Sequence, residues 1–253
     1  MPAAHFRFYA ELNDLLPVPH RQRDFEAQFE GHESIKHLIE ALGVPHTEVD
    51  LILVNGQAVD FSYPVKDGDQ ISVYPQFESV DITQSTNLRP KPLREPRFVL
   101  DTHLGRLAAY LRLLGFDTLY RNDYPDEELA RISVEEKRIL LSKDRGLLKR
   151  KQLTHAYCVR SSYPRQQLFE VTQRFDLYSL ISPFQRCLRC NGRLEPVAKE
   201  AIQHRLQPGT RKNYDEFYLC QDCQQIYWPG SHYQHMQQLV EDVRQAAHQK
   251  DNS

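Results

Sequence analysis

Two aspartates follow short apolar runs in the middle of the chain. Asp101 comes directly after the run 98–100, and Asp144 follows the run 139–141 by three positions. Runs of this length and composition predict strands buried in a parallel sheet, and open α/β sheets bind ligands at the carboxyl ends of their strands. Carboxylates at that edge would offer the oxygen ligands that magnesium and manganese prefer.

A third acid, Asp126, lies between these two in the sequence. It opens a predicted helix with Leu129 and Ile132 on its apolar side and follows Pro125. Aspartate is among the commonest N-cap residues, so a helix cap is the simplest role for Asp126 alone. Three acids from separate elements would also meet the needs of a divalent cation, and both roles stay open.

Hydroxyl and basic side chains flank the acids. A helix predicted after Asp101 carries two arginines off its apolar stripe, and the residues around Asp144 are similarly polar. Such cations either grip phosphates or form solvated surface and ion pairs. The candidates for nucleic-acid contact are Arg106, Arg112, Ser142, Lys143 and Arg145.

Four of the five cysteines form two matched pairs. Cys187 and Cys190 are separated by two residues, as are Cys220 and Cys223, and 29 residues lie between the pairs. This spacing is typical of a tetrahedral zinc site, and four thiolates leave no open coordination position, which makes a structural role the prediction. Disulfides or a redox motif are the competing interpretation. The long spacer predicts a hairpin extension around 205–211.

Composition and charge limit the classes of protein to which this chain can belong. The chain has 253 residues, 40% of them hydrophobic and 26% charged, which is typical of a globular protein of two domains and a small third unit. No apolar run approaches the ~20 residues of a membrane span, so we expect no membrane contact and a cytoplasmic location. Residues 87–165 hold 17 Lys and Arg against 10 Asp and Glu, whereas residues 1–86 hold 5 against 14. The basic segment is the one that would attract a nucleic acid.

The N-terminal segment predicts a small α+β roll. A strand over 5–10, a helix capped by Ser34 and stopped by Gly43, and strands over 51–54 and 70–74 follow from the apolar pattern. This pattern resembles the ubiquitin-like fold of the sulfur-carrier type. The carrier function needs a free Gly-Gly terminus, which this chain lacks, so a docking or regulatory role with a protein partner is the expectation.

The segments 98–101, 104–108, 111–117 and 139–148 resemble the PIN-like RNase domain named after the C-terminal part of the Mut-seven exonuclease. Bacterial members of that family join a ubiquitin-like domain to this domain and a zinc ribbon, so the resemblance covers essentially the whole chain. It implies an α/β PIN-like domain with a parallel sheet. The expected boundaries are a ubiquitin-like domain at 1–80, a linker at 81–96, the PIN-like domain at 97–182, a zinc ribbon at 183–235 and a C-terminal tail at 236–253.

The resemblance also implies a function. Asp101 and Asp144 match the acids at the ends of the first and central strands, and Asp126 matches the acid that opens the helix between them. The implied activity is RNA hydrolysis with magnesium or manganese on these acids. A fourth acid, present in many PIN nucleases, has no counterpart around 159–163, so a non-catalytic RNA-binding or adaptor protein is the alternative. Beside the ribbon, Tyr227 and Trp228 either stack on bases or cover a small core.

Overall fold

The computed structural model describes residues 1–75 and 95–250, with side chains described as far as residue 247. The predicted linker 81–96 lies outside the described residues except for its last two positions.

The chain divides into two compact units, each built from two separate stretches of sequence. The first unit joins Met1–Arg94 to Ala130–Cys158, and the second joins Glu95–Leu129 to Val159–Ser253. Each unit therefore contains a part of the central segment 97–182.

The N-terminal part of the first unit is a five-stranded sheet with one α-helix. Its order is β2-β1-β5-β3-β4, with β1 parallel to β5 and the other neighbours antiparallel, as expected for a ubiquitin-like roll. The elements are β1 (Ala3–Phe8), β2 (Phe25–Gln28), α1 (Ile35–Ala41), β3 (Val49–Val54), β4 (Gln57–Val59) and β5 (Gln70–Pro75), with 3-10 turns at Ala10–Leu15, Val18–His20 and His46–Glu48.

Local sequence signals fix the helix of this domain. The Ser34 hydroxyl accepts a hydrogen bond from the backbone N–H of His37, and Gly43 has a φ of +104°, so the predicted cap and stop are both confirmed. The sequence did not predict β2 and β4. Both are short strands with exposed or half-buried residues, so their apolar pattern is weak.

Strands and helices alternate in the central segment. The elements are β6 (Phe98–Leu100), a 3-10 turn (Thr102–Leu104), α2 (Gly105–Leu113), β7 (Thr118–Tyr120), α3 (Asp126–Glu135), β8 (Ile139–Ser142), α4 (Arg145–Leu148), β9 (Ala156–Cys158) and α5 (Pro164–Arg174). In the second unit β6 is parallel to β7, and in the first unit β8 is parallel to β9. All residues of β6, β8 and β9 are buried, which is typical of parallel strands covered on both faces. The expected α/β class with parallel strands is confirmed.

The C-terminal part of the second unit holds a three-stranded antiparallel sheet with order β10-β11-β12. Its elements are β10 (Leu194–Pro196), α6 (Lys199–Ile202), α7 (Pro208–Asn213), β11 (Tyr218–Cys220), β12 (Ile226–Tyr227) and α8 (Ser231–Lys250), with 3-10 turns at Tyr178–Leu180 and Gln203–Arg205.

One prediction for this region is wrong. The spacer around 205–211 forms a 3-10 turn and part of α7 instead of a hairpin, because Pro208 sits favourably in the first turn of a helix. The predicted tail 236–253 is helical as far as Lys250. Leu239, Val240 and Val243 are buried on α8, which packs on α5. None of the described helices combines the length and apolarity needed to span a membrane.

Candidate active site and metal centre

Asp101 occupies the position that follows β6. It is 8% exposed, and its Oδ1 accepts hydrogen bonds from the backbone N–H and the hydroxyl of Thr102, at 2.5 and 3.2 Å. These contacts cap the 3-10 turn that leads into α2. Asp101 is therefore a buried carboxylate with a fixed orientation.

Asp144 caps the helix that follows β8, and unlike Asp101 it is exposed. Its Oδ1 accepts a hydrogen bond of 2.7 Å from the N–H of Gly146 and so caps α4. The fully buried Ser142 directs its hydroxyl to the backbone N–H of Asp144, at 2.9 Å. This hydroxyl therefore positions the backbone of Asp144, whereas the sequence predicted nucleic-acid contact for Ser142.

Asp126 is the first residue inside α3 and is exposed. The prediction that Asp126 is the N-cap is wrong by one position, because α3 already includes Asp126. The N–H of Leu129 donates to the carbonyl of Pro125, the residue before the helix. An acid in the first turn still interacts favourably with the positive end of the helix dipole.

The three acids belong to different parts of the fold. Asp101 and Asp126 lie in the second unit, and Asp144 lies in the first. Among the described residues, the cysteines are the one group of three or more His, Cys, Asp and Glu whose ligand atoms all lie within 4.8 Å of one another. The aspartates do not form such a group.

The segment 159–163, which lacks the fourth acid of many PIN nucleases, is contacted by the carboxylate of Glu170. Glu170 on α5 accepts hydrogen bonds from the backbone N–H groups of Arg160 and Ser161, at 2.7 and 2.9 Å. Both of its oxygens thus hold the chain that follows β9. No local pattern marks this contact, because it joins residues nine and ten positions apart.

Of the predicted phosphate-binding cations, Arg106 and Lys143 are exposed. Arg145 is also exposed, and one of its terminal nitrogens donates to the carbonyl of Leu15 at 2.6 Å. That contact joins α4 to the N-terminal domain within the first unit.

Arg112 does not occupy the surface role predicted for it. It is 3% exposed, and its guanidinium donates to three backbone carbonyls, those of Thr118, Leu188 and Arg189, at 2.9 to 3.0 Å. Burial lowers the pKa of this guanidinium, while the nearby Cys190 and Cys187 oppose the shift. Arg112 therefore ties α2 to the first cysteine pair and is unavailable to a phosphate.

The four paired cysteines converge as the spacing predicted. Their sulfurs lie within 4.8 Å of one another, with 3.5 Å between Cys187 and Cys223 and 3.4 Å between Cys190 and Cys220. These distances exceed the ~2.05 Å of a disulfide. Four thiolates at about 2.3 Å from a tetrahedral ion would be separated by similar distances, so the cluster fits a metal such as zinc.

Hydrogen bonds prepare one thiol of this cluster for deprotonation. Burial by itself would raise the pKa of Cys187, but hydrogen bonds from the Tyr227 hydroxyl and from the N–H groups of Cys190 and Arg189 lower it to about 7. Burial raises the pKa of Cys190 to about 12. A cation bound among the four sulfurs would favour the thiolate form of both.

Comparison with known protein families gives two matches. The model of the Mut7-C RNAse domain matches residues 96–240, and the model described as Mut7-C ubiquitin matches residues 1–81. The chain belongs to the Mut7-C RNAse family. Neither the curated proteins nor the solved structures contain a significant match to the chain.

The match to the Mut7-C RNAse domain includes the cysteine cluster, and side chains next to the first cysteine pair contact the central segment. Asn191 follows the first pair with a φ of +77°, and its side chain accepts from the N–H of Thr118 and donates to Asp117, at 2.9 and 2.8 Å. Arg186 donates to the carbonyl of Gly115 at 3.1 Å. In this Mut7-C protein the first cysteine pair is thus joined to the segment between α2 and β7 through Arg186 and Asn191, whose resemblance to the flanks of the family's ribbon did not reveal these contacts. An asparagine directly after the first cysteine pair is the signal that could have indicated this turn, because Asn tolerates positive φ.

Proposed function

We propose that this protein is a metal-dependent ribonuclease that hydrolyses phosphodiester bonds of RNA. Membership of the Mut7-C RNAse family carries the proposal. The positions of two of the acids support it. Asp101 comes directly after β6, and Asp144 comes two residues after β8. Ligands of α/β folds bind at the carboxyl ends of such buried parallel strands.

Asp101, Asp126 and Asp144 are the proposed ligands of magnesium or manganese. Three carboxylates form an oxygen donor set of the kind that these hard cations prefer, and magnesium usually keeps several of its waters when it binds. The hydrogen bonds from Thr102 to Asp101 support this role, because they fix the orientation of the carboxylate in advance. When bound, the cation would neutralise charge at the phosphate and lower the pKa of the attacking water.

The exposed cations Arg106 and Lys143 are the proposed contacts to the RNA backbone. Lys143 directly precedes Asp144, and Arg106 follows Asp101 by five residues in the first turn of α2. Arg145 contributes through the guanidinium N–H groups that do not face Leu15, since arginine has five donors in all. Ser142 acts indirectly by holding the backbone of Asp144.

The remaining parts of the chain receive supporting roles in this proposal. The cysteine cluster holds a structural zinc ion, and its reduced thiols fit a cytoplasmic location. The ubiquitin-like domain provides a surface for a protein partner.

A cleavage assay on mixed RNA tests the proposal. We expect purified protein to shorten single-stranded RNA when magnesium or manganese is added and to leave it intact without a divalent cation. Stable RNA binding with no cleavage in either metal would instead support the non-catalytic adaptor.

A further inference from the structure

We propose that an aromatic cavity beside the cysteine cluster binds an unpaired base of single-stranded RNA. The inference deepens the proposed function and rests on RNA being the substrate. It assigns a task to Trp228, for which the sequence left two roles open.

The cavity has a volume of about 280 Å³ and lies within the second unit. Ligand pockets generally begin at about 300 Å³, so this one suits a small flat group. The rings of Phe184, Tyr218, Tyr227, Trp228 and Tyr233 line it, together with the side chain of Arg186.

The rings reach solvent instead of closing a core. Trp228 is 38% exposed and Tyr218 is 40% exposed. The core of this part of the chain is formed by Ile202, Phe217 and Ile226, and neither exposed ring belongs to it. The structure therefore favours a binding surface over the core-covering role for Trp228, since two exposed rings on one cavity are available to stack on a base.

The cavity walls are held in place before any ligand arrives. Phe184 adopts a φ of +62°, which is unfavourable for a bulky residue, and its ring packs on Tyr233 with 4.6 Å between ring centroids. A Cβ at Gly230 would lie 2.9 Å from Nε1 of Trp228, so only glycine lets the indole approach the backbone in this way. Rigid aromatic walls reduce the entropic cost of binding.

One exposed cation, Arg189, follows the lining residue Leu188. The guanidinium of Arg186 also borders the cavity, but it donates to the carbonyls of Gly115 and Asn191 and lies 3.8 Å from the carboxylate of Asp117. A phosphate beside a stacked base would therefore meet Arg189. The one acidic residue of the lining, Glu216, offers a carboxylate that accepts N–H groups of a base.

Trp228 is the only tryptophan of the sequence, so its fluorescence reports on the cavity directly. The full-length, zinc-loaded protein is titrated with a ten-nucleotide single-stranded RNA, with the duplex of the same sequence and with a proline-rich peptide, without added magnesium or manganese. We expect saturable quenching by the single strand and at least fivefold weaker binding of the duplex, whose bases are already stacked.

Affinity measured by anisotropy of labelled RNA then identifies the residues. We expect Trp228→Ala and Tyr218→Ala each to weaken binding about tenfold. Gly230→Ala leaves Trp228 in the chain but moves its indole away from the backbone, so it should also weaken RNA binding. Tyr163→Ala is the matched control, because Tyr163 is 69% exposed and does not line the cavity. Metal content and the unfolding midpoint of each variant show that it is folded.

Unchanged affinity in folded Trp228→Ala and Gly230→Ala proteins would overturn the inference, as would preferential binding of the peptide. These results are independent of catalysis. Metal-dependent cleavage without quenching would support the ribonuclease proposal and contradict base binding in the cavity. Quenching without cleavage would support base binding and contradict the ribonuclease proposal.

Discussion

The carboxylate of Glu48 accepts a hydrogen bond of 2.6 Å from the backbone N–H of Cys158. Glu48 belongs to the ubiquitin-like domain and is 1% exposed, whereas Cys158 is the last residue of β9. A second contact lies nearby, between Nε2 of His46 and the carbonyl of Leu153, at 3.0 Å. Within the first unit, the ubiquitin-like domain therefore forms part of the packing around β9.

The Glu48 contact predicts a loss of stability. Glu48→Ala would leave the N–H of Cys158 buried without this acceptor, which costs about 1–3 kcal/mol of unfolding free energy. Urea denaturation measures the change. Glu26→Ala, at an exposed position of β2, is the control and should change the free energy of unfolding by less than about 0.5 kcal/mol. Equal effects of the two substitutions would show that the contact does not stabilise the fold.

Arg112 and Arg106 form a matched pair on α2 that separates a structural cation from a proposed RNA contact. Arg112→Met should lower the free energy of unfolding by about 3 kcal/mol and speed metal release to a chelator, because one buried and two partly buried carbonyls lose their donor. Arg106→Met should leave stability within about 0.5 kcal/mol and weaken RNA binding. A destabilised Arg106 variant beside a stable Arg112 variant would contradict both assignments.

The misassignment of Arg112 shows where sequence reasoning ends. The helical period correctly placed Leu107, Ala108 and Leu111 in the core, and it placed Arg112 off that stripe. Periodicity cannot reveal that a separate segment, the first cysteine pair, covers the side of α2 that carries Arg112. Contacts from distant sequence decided the role of this residue, as they did for Glu170.

Gly115 follows the C-cap of α2 and packs closely against the backbone of Ser182. A Cβ at this position would collide with the carbonyl oxygen of Ser182, and the φ of +100° is unfavourable for other residues. Gly115→Ala should therefore destabilise the fold by more than about 1 kcal/mol. Gly209→Ala in α7 is the control, since no atom lies within 4 Å of its Cβ position and alanine favours helix by about 0.5–1 kcal/mol. Thermal unfolding distinguishes the two, and a Gly115 variant as stable as the parent would contradict the packing.

The cysteine cluster predicts one bound zinc ion per chain. Cys220→Ser should abolish stoichiometric zinc, measured by elemental analysis, and lower the unfolding midpoint, because a tetrahedral site needs all four thiolates. Cys158→Ala removes the one cysteine outside the cluster and should retain the metal. Zinc bound equally by both variants would refute the site.

The cysteines and the strand-ending acids were predictable because their signals are local. Matched pairs of cysteines bring their own geometry, and apolar runs that end on acids define buried strands. The orientation of Asp101 was not predictable, since it depends on the hydrogen bonds from Thr102. Helix α8 was missed because only three residues of its long polar sequence, Leu239, Val240 and Val243, are buried in the described part of the chain.

The most direct test of the central claim is the rate of manganese-dependent RNA cleavage by Asp101→Asn and Asp144→Asn proteins. Asparagine keeps the side-chain oxygen that caps the following turn, so these changes remove the charge and retain the fold. We predict that each lowers the rate by about 100-fold or more while the unfolding midpoint stays unchanged. Asp215→Asn, at a residue whose side chain is 90% exposed, should cleave like the parent. Undiminished cleavage by the double variant Asp101→Asn and Asp144→Asn would contradict the account.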